Sequence, residues 1–327
     1  MTSQLVQPKN GVIPVLVLSY GTPVDMDQIE AYYTHIRHGR PPSAEQLKDL
    51  TDRYARIGGT FPLRKNTDDQ VIKLEEHLNQ LDVGLQFKCY QGLKHVTPFV
   101  EDGISQIAAD GFDSAIAIVL APHFSTYSVA TYIKRAEAEA EKHGIFLVGI
   151  TSYHVHPWLL TALAQRVKKQ LDAFKAEGVD KDDIRVIFSA HSLPEKILEN
   201  GDPYPDQLNE TATRIAALTN VTNWQFAWQS AGQNGMPWLG PDIQDVLRTI
   251  AREQHVKYAL ICPIGFVCDH LEVLYDIDIE CQTVATEEGI LLKRTDSLNT
   301  DPMYIATLAD VVLQKLPHVA VREETIT

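Results

Sequence analysis

Glu272, Asp276 and Glu280 recur at four-residue intervals within residues 269–280 (DHLEVLYDIDIE). On an α-helix that spacing stacks side chains on one face, and like charges so placed repel by ~0.3 kcal/mol per pair. Such a ladder persists either because water screens it or because a bound cation compensates it. Between Tyr258 and Leu292 there are seven Asp or Glu and no Lys or Arg, so the neighbouring sequence offers no countercharge. The ladder also follows directly on an apolar run and the Gly265 loop. Carboxylate oxygens beside an imidazole, here His270, suit a divalent transition metal such as iron.

His191 is the second candidate, in the loop Ser189-Ala190-His191-Ser192-Leu193-Pro194. Alone, a histidine there is a hydrogen-bonded structural residue. Paired with a carboxylate from another strand end it becomes a metal ligand or a proton acceptor near neutral pH. The third feature is an inversion of charge. From Arg37 to Lys65 seven Lys or Arg face Glu45, Asp49 and Asp52, which makes the segment +4 in a chain of net charge −14. Guanidinium forks bind carboxylates well, so an anionic, partly apolar ligand is expected; helix-surface pairs such as Asp49–Arg53 are the plainer account.

The elements that must position these residues alternate along the chain. Apolar, β-branched runs at Val12–Leu18, Phe87–Tyr90, Ala115–Leu120, Phe146–Ile150, Val186–Phe188, Gln225–Trp228 and Tyr258–Cys262 are separated by helical patterns. Near-continuous apolar strands between helices predict an α/β protein with parallel sheets covered on both faces. Two doubly wound, Rossmann-like domains with a cleft between them are expected. The first spans 1–172 and takes back a C-terminal helix at 303–327; the second spans 173–302 and carries His191 and Glu272. Matching His-containing strand ends, at His123 and His191, hint at a distant duplication. Ligands of open α/β sheets bind beyond the carboxyl ends of the strands, so the loops bearing Tyr20, Lys94-His95, His123, His191, Trp228-Gln229-Ser230 and Asp269-His270 are read first.

Several classes lose their marks. At 327 residues, 44% apolar and 22% charged, the chain is neither disordered nor fibrous. Its acidity opposes a general nucleic-acid partner. No G-x-G-x-x-G, P-loop, H-E-x-x-H or G-x-S-x-G occurs. No apolar run spans a bilayer, and Val12–Leu18 has only Lys9 before it and no Ala-x-Ala-like site after it, so neither a transmembrane segment nor a signal peptide is expected. Cys89, Cys262, Cys268 and Cys281 form no C-x-x-C pair, which fits reduced thiols in a cytoplasmic protein.

The sequence resembles the ferrochelatase family. The resemblance is carried in order by Ser19-Tyr20-Gly21-Thr22-Pro23, Arg53-Tyr54 with Ile57-Gly58-Gly59, Gly92-Leu93-Lys94-His95, Leu120–Ser125, Ser189–Lys196, Gly201–Pro205, Trp228-Gln229-Ser230, Trp238–Pro241 and Gly265–Asp276. Tyr32–Arg37 and the lack of a hydrophobic lip insertion look most like the soluble type of Gram-positive bacteria, whose substrate is coproporphyrin III. The resemblance implies that His191 and Glu272 bind ferrous iron where it is inserted, that Asp276 and Glu280 extend a metal-delivery track, and that Tyr20 is an axial ligand on the other porphyrin face. It further implies that Arg37, Arg53, Tyr54 and Tyr132 contact the macrocycle and its propionates, with His95 and Trp228 in support. Two positions depart from the family: Phe61 stands where a small Ser is usual, and His38 replaces an Arg. Iron is a substrate and no cofactor is expected; some relatives carry a [2Fe–2S] cluster on cysteines near the C-terminus, but no Cys follows Cys281. The implied product, coprohaem, would pass to a decarboxylase, and a monomer is expected. Protoporphyrin IX ferrochelatase, a cobalt chelatase, and a non-catalytic haem or metal carrier are the alternatives.

Overall fold

The computed structural model describes residues 11–232 and 235–320. The C-terminal helix expected to reach residue 327 therefore ends, as far as it is described, at residue 320. Strands β1 (Val12–Ser19), β2 (Gln86–Leu93), β3 (Ser114–Val119) and β4 (Phe146–Ile150) form a parallel sheet in the order β2-β1-β3-β4. Strands β5 (Ile184–His191), β6 (Trp224–Gln229), β7 (Tyr258–Pro263) and β8 (Leu291–Arg294) repeat that pattern as β6-β5-β7-β8. The central strands β1 and β5 are buried on both faces, which is why their sequences run apolar rather than alternating. The short edge strand β8 was not expected: Leu-Leu-Lys-Arg carries too little apolar character to stand out.

The first lobe has α1 (Ile29–Ile36), α2 (Ala44–Arg56), α3 (Pro62–Gln80), α4 (Val100–Ala109), α5 (Val129–Lys142) and α6 (Pro157–Ala176). A capping box starts α2: Ser43 Oγ accepts the Gln46 N–H at 3.2 Å, and Gln46 Oε1 accepts the Ser43 N–H at 3.0 Å. The rest are α7 (Lys196–Glu199), α8 (Tyr204–Thr219), α9 (Ile243–Arg252), α10 (Leu271–Leu274), α11 (Gln282–Glu287), α12 (Pro302–Leu313) and α13 (Leu316–Ala320). The largest core joins the lobes, with Ile13 and Val15 of β1, Phe174 of α6, Phe188 of β5 and Tyr304 of α12 in one buried cluster. Helix α12 lies on α3 and α6, and α13 on β3 and β4.

A buried carboxylate helps to clasp the lobes. Asp202 is buried, and its Oδ2 accepts from Ser125 Oγ at 3.0 Å and from the Thr126 N–H and Oγ1 at 2.6 Å. Its Oδ1 accepts the Tyr204 N–H at 3.0 Å. Four donors offset the desolvation of one carboxylate.

The acidic ladder does not form the regular α-helix its spacing predicts. After the single turn of α10 the backbone widens into a π-helical stretch, Asp276–Cys281, before α11 resumes. The Tyr275 carbonyl accepts from both Ile279 N–H (3.1 Å) and Glu280 N–H (3.0 Å). The outer face buries Ile277, Cys281, Val284 and Ala285 in the core beside α9. Wide turns of this kind recur at functional sites.

Candidate active site

Each sheet reverses its winding between two strands, β1 and β3 in one lobe, β5 and β7 in the other. Such switch points leave a crevice at the strands' carboxyl ends, and the candidate residues gather there. His191 is the last residue of β5, paired with Gln229 of β6, rather than part of a loop. The small, buried Ser189 and Ala190 let the ladder continue to it. The turn after β7 presses on the same place: a Cβ on Gly265 would lie 2.5 Å from the Ala190 Cβ, so only glycine fits.

His191 Nδ1 lies 3.2 Å from Glu272 Oε2, and each side chain is about one-third exposed in the cleft (33% and 38%). Nδ1 is itself a buried atom, with that carboxylate as the charge beside it. His270 Nε2 approaches the same carboxylate oxygen at 3.7 Å while its Nδ1–H donates to the Cys268 carbonyl at 3.0 Å.

Burial opposes the charged forms throughout, and neighbours decide the outcome. Burial pulls the His191 pKa down, but the Glu272 and Asp276 charges prevail and hold it above its ordinary value. Burial pushes Glu272 up, yet His191 and His270 bring it well below the carboxylate range. For Asp276 burial and the Glu272 charge act together and push it up to about 7. Two carboxylates four residues apart therefore differ: Glu272 is firmly ionised and Asp276 exchanges a proton near neutrality.

Two residues behind this pair were given no role from sequence. Gln229, wholly buried, accepts from Ser189 Oγ at 2.9 Å and donates through Nε2 to the Glu272 carbonyl at 3.0 Å, tying α10 to β5. Ser230, held in the left-handed region at φ 61, donates its hydroxyl to Asp276 Oδ2. Their place in Trp228-Gln229-Ser230 after an apolar run was the available signal. Trp228 itself does not line the cleft. It is buried in the core, with ring centroids 4.9 Å from Phe226 and 5.9 Å from Tyr204, and Tyr204 Oη donates to the His191 carbonyl at 3.1 Å.

The first lobe supplies the facing group. Tyr20 follows β1, is 40% exposed, and lies with its ring 4.6 Å from that of His95. Burial of its hydroxyl, then the Glu272 charge, pushes the phenol well above its usual value. Burial, followed by Lys94, holds His95 down to about 3, and His95 Nδ1 meets His35 Nδ1 at 3.1 Å. Tyr54 is buried; its hydroxyl bonds Thr22 Oγ1 at 2.9 Å and its ring stacks on Phe61 at 4.5 Å. Tyr132 is buried beneath the Lys94 ammonium, 4.9 Å from its ring. Arg37 caps the end of α1 with its Nε buried and without a hydrogen-bond partner. His38, at φ 55, is exposed beside it.

The ladder's missing countercharge arrives from the first lobe. Arg53 of α2 bonds Asp49 through Nε at 3.1 Å and reaches Asp276 with Nη1 at 3.8 Å. Arg56 donates to Tyr275 Oη at 2.9 Å, and both guanidiniums stand over the Tyr275 ring, at 5.0 and 5.1 Å. Glu280 accepts from Gln244 Nε2 at 3.2 Å. Asp278, on the other side, is held by a two-pronged bond from Arg294 at 2.7 and 2.8 Å. Local sequence lacked a countercharge; the fold does not.

Among solved structures, SirB from Bacillus subtilis with Fe3+ superposes with a TM-score of 0.56 at 12% identity, over 93% of this chain and 95% of that one. CbiX of denitrifying bacteria follows at 0.53 and 12%, over 92% and 98%. The likeness is one of fold: two lobes with parallel sheets. The Ferrochelatase family profile matches residues 12–316. A coproporphyrin III ferrochelatase of Halalkalibacterium halodurans is 49% identical over 93% of this chain and 97% of its own length, and that of Bacillus subtilis 46% over 92% and 97%. The chain belongs to the ferrochelatase family and is a metal chelatase.

Proposed function

We propose that this enzyme inserts Fe2+ into coproporphyrin III to give coprohaem in haem biosynthesis. The observation that carries the reading is the His191–Glu272 pair, 3.2 Å apart in the cleft and within the electrostatic reach of Tyr20. The names of relatives 43–49% identical over most of the chain support the porphyrin.

Insertion requires that the ion shed water and that the ring lose both pyrrole protons. Glu272, ionised at any ordinary pH, offers oxygen to a partly dehydrated cation. His191 in its neutral form takes a pyrrole proton, and the raised pKa strengthens it as a base. Asp276 and Glu280 lead from the cleft as a track for the incoming metal. On the facing wall Tyr20 meets the product iron axially. Arg37, whose Nε has no partner, and Arg53 meet the propionates, beside Tyr54 and Tyr132. Holding the ring by its edges on a rigid wall bends it toward a metallated geometry, with remote binding energy spent on strain. Iron enters as substrate, and no [2Fe–2S] cluster belongs to this reading.

We place the enzyme in the cytoplasm as a monomer that hands coprohaem to a decarboxylase. No helix among the described residues is long and apolar enough to cross a membrane. The deciding assay is turnover with coproporphyrin III and protoporphyrin IX side by side, each with Fe2+ and Co2+. Preference for coproporphyrin III and Fe2+ is expected, over many turnovers. Preference for protoporphyrin IX or Co2+ overturns the substrate assignment, and a single stoichiometric event would mark a carrier.

A further inference from the structure

Arg53 faces two demands at once. As a basic residue beside Tyr54 it is a ligand for a carboxylate at the porphyrin edge; it also stands on the acidic track, 3.8 Å from Asp276. A guanidinium and a divalent cation cannot both neutralise that carboxylate without repelling each other. The surroundings divide the labour between neighbouring arginines. Arg56 is bonded to Tyr275 Oη and keeps α2 on the π-helical stretch. Arg53 is tethered at Nε by Asp49 of its own helix, while its Nη end only approaches Asp276. Its side chain is 28% exposed and rests on the same Tyr275 ring. A tethered base with a loosely held, part-exposed tip can turn from one carboxylate to another at little cost.

We propose that Arg53 couples the two substrates, occupying the metal track until a porphyrin carboxylate draws it away and so admitting the metal more readily once porphyrin is bound. This rests on the reading of Asp276 as part of the metal path. The coupling is reciprocal: whatever factor porphyrin adds to metal affinity, metal adds to porphyrin affinity. Removing one opposing charge at this distance, in a cleft only partly shielded from water, is worth ~10-fold in affinity.

The test titrates Mn2+, an oxygen-seeking ion read by its own EPR signal, into the full-length protein. It is done with and without zinc coproporphyrin III, a ring that already holds a metal and cannot take another. In the unaltered protein the ring should tighten Mn2+ binding ~10-fold. Arg53→Gln should bind Mn2+ that tightly without the ring and gain nothing from it, while Arg53→Lys, which keeps the charge, should keep the gain. Unchanged Mn2+ affinity in ring-free Arg53→Gln, a persisting gain in that variant, or loss of the gain in Arg53→Lys would each overturn the coupling. Asp276→Asn separates the two readings. If it binds Mn2+ as the unaltered protein does, the metal path is wrong; if it loses Mn2+ while Arg53→Gln behaves as the unaltered protein, only the coupling fails.

Discussion

Asp276 lies where its charged form is disfavoured, and the cost to stability can be measured. Its carboxyl is buried and faces Glu272, which pushes its pKa from 3.8 up to about 7. A group whose pKa is higher in the fold than in the unfolded chain favours folding below the unfolded value and loses that contribution as pH rises through the folded one. At about 1.4 kcal/mol per tenfold change in proton affinity, the shift corresponds to ~4 kcal/mol in a rigid site and ~2 kcal/mol in one that relaxes. Asn at 276 stays neutral at every pH, so it escapes this loss. It also keeps an oxygen that can accept the Ser230 hydroxyl. Urea unfolding of Asp276→Asn and the unaltered protein, both treated with chelator, should give nearly parallel stabilities around pH 4. The variant should become the more stable by ~2–4 kcal/mol around pH 8, with unchanged denaturant slopes. Added Mn2+ should then stabilise only the unaltered protein. A stability difference that stays flat with pH would refute the reasoning, because burial and the Glu272 charge would not be acting on that carboxyl. Gaining stability while losing metal affinity is the exchange expected where a site is kept strained for its ligand.

Gln229→Leu leaves the Ser189 hydroxyl and the Glu272 carbonyl without their partner; thermal or urea unfolding should register a loss of ~2–4 kcal/mol, with metal insertion slowed more than porphyrin binding is weakened. In Glu272→Gln burial, the largest influence on His191, meets less opposition, so the imidazole should titrate lower by NMR; an unmoved titration would detach the two residues. Phe61→Ala removes the ring stacked 4.5 Å from Tyr54, which should cost ~1 kcal/mol of stability and raise KM for porphyrin while leaving KM for iron unchanged.

The two-lobed α/β class was legible because burial of a parallel strand on both faces writes a continuous apolar run, and seven such runs stood out. The eighth did not, since Leu291–Arg294 sits at an edge and is half charged. His191 and Glu272 were legible as candidates by type and by place after strands, and the acidic ladder by its spacing. Trp228 was legible only as a supporting residue, because a tryptophan at a strand's end reads alike whether it lines a cleft or packs a core; the fold packs it in the core.

By itself the sequence determined what depends on neighbours along the chain: the strand and helix periods, the Ser43 cap, and the uneven charge that leaves +4 at 37–65 and an acidic run at 258–292. Only the tertiary structure decided where those charges meet. It set Arg53 against Asp276, brought His191 within 3.2 Å of Glu272, and opened the ladder into a π-turn. Electrostatic energy and pKa depend on distance and burial through space, and neither is a function of separation along the chain.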